Sequence, residues 1–173
     1  VPLGFVFSAV FLWLAWPTWP TIALSLLLVG PGVWLRAYAA GYVRKNAELT
    51  QTGPYAYTRN PLYLGSMLIA FGFAAAAGSW VILVALAVLF AVIYVPTIQS
   101  EEAFLREHFA GFEAYAARVP RLLPRLTAAR LPGVENASGG RFSGAQWKHH
   151  REYNTLMGAG TIYVVLALRI LLH

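Results

Sequence analysis

LTQTGPYAYTRNPLYLG, residues 49–65, is the stretch whose reading decides this fold. It is the longest polar, turn-forming run between two apolar blocks. Gly53-Pro54 marks a turn and Asn60-Pro61 a second break. Pro61 suits the first turn of a helix, where its missing N–H costs nothing. Tyr55, Tyr57, Arg59 and Tyr63 crowd into the same segment. Irregular backbone at membrane depth must be buried in protein or line a cavity. A compact polar loop wedged between apolar blocks is therefore where a site is expected.

Outward from that loop the composition is that of a membrane protein. The 173 residues are 58% hydrophobic and 12% charged, against roughly 25% charged in a soluble domain. The fold expected is all-α: a polytopic transmembrane helical bundle of about five spans with cytoplasmic amphipathic helices, in one integral membrane domain over 1–173. The net charge is +6, and all 7 acidic residues are glutamates. In such a chain a basic balance points to loops beside anionic lipid and not to nucleic acid. The absence of cysteine excludes disulfides, thiolate metal sites and a cysteine nucleophile.

Taken in order, residues 1–16 are apolar and short for a span, and the start at Val1 leaves room for an upstream piece. That run shows no basic leader or A-x-A site, so no cleavable signal is expected in it. Pro17 to Pro20 is a tight break, and residues 21–40 are a second span with a kink expected at Gly30-Pro31-Gly32. Arg36, near its far end, is expected to snorkel outward. These two spans form a first hairpin, 1–40. The loop at 41–60 carries Arg44, Lys45, Glu48 and Arg59. Residues 61–77 and 80–96 are spans three and four, joined by Gly78-Ser79. Leu105, Phe109, Phe112, Ala116 and Val119 then recur at helical spacing, so a separate amphipathic helix is expected over 100–118. Residues 127–153 read as cytoplasmic loop plus a basic amphipathic piece anchored by Trp147, and 154–173 as the last span. The two short turns carry no Lys or Arg, so the positive-inside rule puts both charged loops in the cytoplasm. The setting expected is a bacterial inner membrane with the site facing the cytoplasm.

The tyrosines, Arg59 and Asn60 supply stacking faces, hydroxyls, a guanidinium and an amide beside a helix start, whose N–H groups suit an anion. GPYAYTRNPLYLG also resembles the signature of the isoprenylcysteine carboxyl methyltransferase family and its phospholipid methyltransferase relatives. The resemblance rests on Leu49, Gly53, Tyr55, Arg59, Pro61, Tyr63 and Gly65. After the next helical hairpin it continues in Glu101-Glu102, then Tyr115, Val119, Pro120 and Pro124. It covers residues 41–126, which it implies are a methyltransferase core. It implies S-adenosylmethionine as cofactor and a hydrophobic, lipid-like or prenylated acceptor reached from the bilayer. The cofactor-binding residues it implies are Leu49, Gly53, Tyr55, Tyr57, Arg59, Asn60, Pro61, Glu101 and Glu102. Arg59, Asn60 and Tyr63 would be the catalytic set.

Departures from the family pattern narrow the substrate. Asn60 stands where a histidine is usual, and it hydrogen-bonds but does not titrate. Ala47 replaces another frequent histidine. Thr97 and Gln99 stand where prenylcysteine enzymes place arginines for the substrate carboxylate. Adjacent His149 and His150 do not share a helix face, so no metal is expected. Asn136-Ala137-Ser138 matches a glycosylation sequon, silent on a cytoplasmic loop. Two other classes fit the same residues: an NADPH-dependent reductase of the sterol-reductase type, with a related N-P-x-Y-like turn, and a non-catalytic membrane scaffold.

Overall fold

A computed structural model describes residues 10–43, 48–129 and 142–172. Arg44, Lys45 and Ala47, the sequon at Asn136, Pro132 and Gly139-Gly140 lie outside these residues, as does most of the first expected span. Among the described residues the protein is all-helical, with no strand. Helix α1 is described over residues 10–14. It is followed by α2 (Trp19–Ala40), a 3-10 turn (Gly53–Ala56), α3 (Pro61–Ala76), α4 (Trp80–His108), α5 (Phe112–Ala116), α6 (Gly144–His149) and α7 (Tyr153–Leu172).

Three helices, α2, α4 and α7, are long and apolar enough to cross a membrane. Helix α3 has 16 residues, about 24 Å at 1.5 Å per residue, short of the roughly 30 Å hydrocarbon core. Against the expected count of about five, the described residues hold three full-length apolar helices and α3 as a shorter fourth.

Helix α4 corrects the expected boundary at Pro96. It runs unbroken for 29 residues through that proline, so the single amphipathic helix expected over 100–118 is divided between the extension of a span, ended at Phe109, and the short α5. Proline within a membrane helix is tolerated when nearby groups take up the freed backbone. The carbonyl left without its helical donor at Pro96 is that of Val92; one residue on, the Thr97 hydroxyl donates to the Ile93 carbonyl at 2.6 Å. Helix α2 likewise continues through Pro31. Its start is fixed by a reciprocal cap between Thr18 and Thr21.

The bundle has two unlike ends. At one, the Trp16 N–H donates to the Ala77 carbonyl at 2.7 Å and the Thr21 hydroxyl to the Ala76 carbonyl at 3.1 Å. Trp13, Trp16, Trp19 and Trp80 are all exposed there, as an interfacial aromatic belt requires. The other end gathers the C-termini of α2 and α4, the N-termini of α3 and α7, and the polar loop. Between them lies a core of Val29, Phe73, Ile82, Leu86 and Leu166 with small alanines.

The seam between α2 and α3 is the most extensive in the bundle. It is close because Gly32 and Gly65 face each other. A Cβ on Gly32 would lie 2.8 Å from the Gly65 carbonyl oxygen, and one on Gly65 2.9 Å from that of Gly32. Gly30, two residues away, has open space around it. Gly32→Val is therefore expected to cost about 1–3 kcal/mol, and Gly30→Val less than about 0.5 kcal/mol. Thermal unfolding of both variants in detergent checks the difference.

Candidate functional site

The central loop is held by hydrogen bonds to the segment that follows α4. The Arg59 N–H donates to the Pro120 carbonyl at 2.9 Å, the Asn60 carboxamide to the Arg121 carbonyl at 2.8 Å and the Thr58 hydroxyl to the Leu122 carbonyl at 2.9 Å. In the other direction, Arg125 N–H donates to the Tyr57 carbonyl and Ala129 N–H to the Ala56 carbonyl, each at 2.9 Å. The Tyr115 hydroxyl donates to the Tyr55 carbonyl at 2.8 Å. Beneath these bonds Phe112, Tyr115 and Val119 form a small buried cluster that also touches Leu49 and Leu105. Gly53 takes φ +57° with its α-carbon against the Tyr42 ring, a conformation that favours glycine.

Charge closes the same junction. Glu102 is buried and lies between two arginines, 3.3 Å from Arg59 Nη2 and 2.8 Å from Arg121 Nη2. Arg121 Nε reaches both carboxylate oxygens at 3.1 Å. Those hydrogen bonds push the Arg121 pKa up. Arg59 also lies over the Phe112 ring, 5.8 Å from its centroid, and its buried Nε has no hydrogen-bond partner among the described residues.

A cavity of about 350 Å³ opens beside this junction. Of the residues expected at the site, Leu49, Tyr55, Asn60, Pro61, Tyr63 and Glu101 line it. Leu105, Phe104 and Tyr115 complete its apolar walls, and Glu48 stands at its edge. Tyr63 and Glu101 both line this cavity. Among the described residues no side chain caps α3, so where its first turn meets the cavity the N–H groups of Leu62 and Tyr63 have no side-chain partner; Pro61 has none to offer, and the Asn60 N–H donates to the Thr58 hydroxyl. The paired glutamates are thus separated by orientation: Glu101 meets the cavity, and Glu102 is held in the ion-pair cluster. Gly53 and Tyr57 do not line the cavity; Gly53 packs on Tyr42, and Tyr57 is 39% exposed. Arg59 reaches the junction and not the cavity wall.

Several groups here were not singled out by sequence reasoning. Arg121 and Tyr115 hold the junction, yet only their places in a motif ending were visible. Arg36 does not snorkel outward as expected. It turns into the bundle, with Nη2 2.7 Å from Glu152 Oε1, and donates to Ser66 Oγ. The partner lies 116 residues later in the chain. The available signal was Glu152 itself, an acid at the start of an apolar span. His150 approaches the Val43 carbonyl at 3.4 Å. Among the described residues, no group of three or more His, Cys, Asp or Glu side chains is arranged to hold a metal ion.

These features define a helical membrane protein with a recess of about 350 Å³ at one end of its bundle. The phospholipid methyltransferase family profile matches residues 20–111, and the chain belongs to that family, within the isoprenylcysteine carboxyl methyltransferase-like group of membrane enzymes. It is 38% identical over 109 residues to the cobalt-zinc-cadmium resistance protein CzcN of Cupriavidus metallidurans, covering 63% of this chain and 49% of that one. It is 38% identical over 122 residues to the nickel-cobalt-cadmium resistance protein NccN of Alcaligenes xylosoxydans xylosoxydans, covering 65% and 55%. The chain thus spans about half the length of the curated relatives it matches. No solved structure matches it.

Burial pushes the Tyr55 and Tyr115 hydroxyls above the ordinary value of 10.0; at Tyr115 the Arg59 charge works against that rise and Glu102 adds to it. A folded-state pKa raised above the unfolded value gives stability that is complete below 10.0 and is lost as pH climbs past it. Tyr115→Phe leaves the Tyr55 carbonyl without its donor and should cost about 1–3 kcal/mol at neutral pH. It should also flatten the alkaline loss of stability, because one of the two titrating groups is gone. Thermal unfolding across the alkaline range reads both effects.

Proposed function

We propose that this protein transfers a methyl group from S-adenosylmethionine to a lipid-like or prenylated acceptor at the membrane. The carrying observation is the cavity of about 350 Å³, with the Glu101 carboxylate and the uncapped start of α3 on apolar walls. Its volume lies in the usual range of roughly 300–1,000 Å³ for small-ligand sites. The donor set fits the cofactor. Glu101 offers a carboxylate to an ammonium group. The first-turn N–H groups of α3 offer donors to a carboxylate. Leu49, Tyr55 and Leu105 offer apolar walls to a ring. When bound, the cofactor supplies an electrophilic methyl: the acceptor lone pair takes the carbon, and the electrons of the broken carbon–sulfur bond return to sulfur.

The chain's residues contribute alignment and exclusion of water more than proton transfer. Tyr63, packed edge-on against Tyr94, forms part of the wall beside Glu101. Arg59 and Asn60 act as positioning residues: Arg59 through Glu102, Asn60 through the Arg121 carbonyl. Residues 41–126 form the methyltransferase core of a single membrane domain, with 1–40, 127–153 and 154–173 around it. The excess of Lys and Arg in its loops supports a recess facing the cytoplasm, and the bacterial relatives support an inner membrane. The relatives' names give the reaction a setting of metal resistance, in which the methylated species is a membrane component.

Binding of S-adenosylhomocysteine to the protein in nanodiscs, followed by calorimetry, tests this reading. Saturable binding is expected, weakened roughly ten- to hundredfold in Glu101→Ala by loss of a charged hydrogen bond. Unchanged affinity in that variant contradicts the assignment. NADPH binding in its place supports a reductase, and absence of both supports a scaffold. A labelled-methyl assay in native lipid extract then identifies the acceptor.

A further inference from the structure

A second and larger cavity, about 620 Å³, lies beside α7, and nothing in the methyl-transfer reading uses it. Its walls are apolar: Phe11 from α1, Ile69 and Phe73 from α3, Leu86 from α4, and Ile162 and Val165 from α7. One end is polar, formed by Arg36, Ser66, Asn154 and Thr155. We propose that this cavity binds an uncharged amphiphile, an apolar chain ending in a hydroxyl or carbonyl, with that end group against Arg36, Ser66 and Asn154.

The charge balance at the polar end carries the choice of head group. Arg36 is matched by Glu152 through two contacts, Nη2 to Oε1 at 2.7 Å and Nε to Oε2 at 3.1 Å. The Thr155 hydroxyl also donates to Glu152, at 3.0 Å. The remaining guanidinium nitrogen, Nη1, donates to Ser66 Oγ and the Leu62 carbonyl, and the Ser66 hydroxyl donates to that carbonyl at 3.0 Å. The positive and negative charges cancel, and all three guanidinium nitrogens are engaged. A charged head group would leave water for a wall with no net charge to offer, and its desolvation would not be repaid. A hydroxyl or carbonyl loses far less, and the exposed Asn154 carboxamide both donates and accepts. The apolar walls take the chain.

The two cavities lie on either side of one turn of α3. Leu62 lines the smaller one, and its carbonyl is the acceptor for Arg36 and Ser66 at the larger one. The amphiphile site stands on its own contacts, whether or not the smaller cavity transfers methyl groups.

The test uses the whole protein in nanodiscs, photolabelled with diazirine derivatives of hexadecanol and of hexadecanoate at alkaline pH, where the acid is ionised. Labelling by the alcohol is expected on peptides from α3 and α7, with the carboxylate weaker by about tenfold or more. Gly158 lines the cavity and has open space at its Cβ position, so Gly158→Phe should project into it, obstruct the chain and reduce labelling several-fold. Gly160→Phe, on the same helix with equal space but outside the lining, should leave labelling unchanged. Glu152→Gln exposes the Arg36 charge and should reverse the preference toward the carboxylate, an effect that loss of folding does not produce. Equal or stronger labelling by the carboxylate in the unaltered protein, or full labelling in Gly158→Phe, overturns the proposal.

Discussion

A buried carboxylate between two guanidinium groups is the constraint on which the polar end of this bundle depends. Glu102 sits near the end of α4, Arg59 in the central loop and Arg121 in the segment beyond the bundle. Two cations for one anion leave the cluster positive, and Arg121, half exposed, shares its charge with water. Water screens the Arg121 contact. The Arg59 contact is enclosed, so removing Glu102 would strand a buried cation, which in other proteins costs several kcal/mol. The pair does not act alone. Hydrogen bonds donated by residues 58–60 to the carbonyls of Pro120, Arg121 and Leu122 run alongside it, so charge and hydrogen bonding fix the same register.

Helix lengths explain why a recess forms at that end. Helix α4, at 29 residues, extends about 43 Å and overshoots the hydrocarbon core. Its overshoot carries Glu101, Glu102, Phe104 and Leu105. Helix α3 is short and starts low, at Pro61, because the two residues before it are tied to the Pro120 and Arg121 carbonyls. A long helix beside a short one leaves a step, and the loop over residues 49–60 fills only part of it. The apolar cavity beside α7 arises from the same short helix on its other flank, where Ser66, Ile69 and Phe73 follow Leu62 along one stripe.

Much of the fold was legible because its signals are local. Pro61 at a helix start, the Thr18 break and the apolar runs of α2, α4 and α7 depend on neighbours in sequence. The boundary set at Pro96 failed because a single proline does not by itself end a membrane helix, and α4 runs through it to His108. The outward Arg36 failed because its partner Glu152 is remote in sequence. At the site, motif residues identified the loop and the glutamate pair. They could not separate Glu101 from Glu102, since neighbours on a helix point about 100° apart and only the packed bundle decides which meets the cavity. Arg121 carried no signal beyond its place after Pro120.

The central claim is that the loop at 49–65 and the end of α4 form one cofactor recess. Ultraviolet cross-linking of methyl-tritiated S-adenosylmethionine to the protein in nanodiscs, with mass mapping of the labelled peptides, tests it most directly. The account predicts label in peptides containing Tyr55, Tyr63 or Phe104, competed away by S-adenosylhomocysteine. Label confined to α7 or to the tryptophan-rich end, or label that the competitor leaves in place, would contradict it.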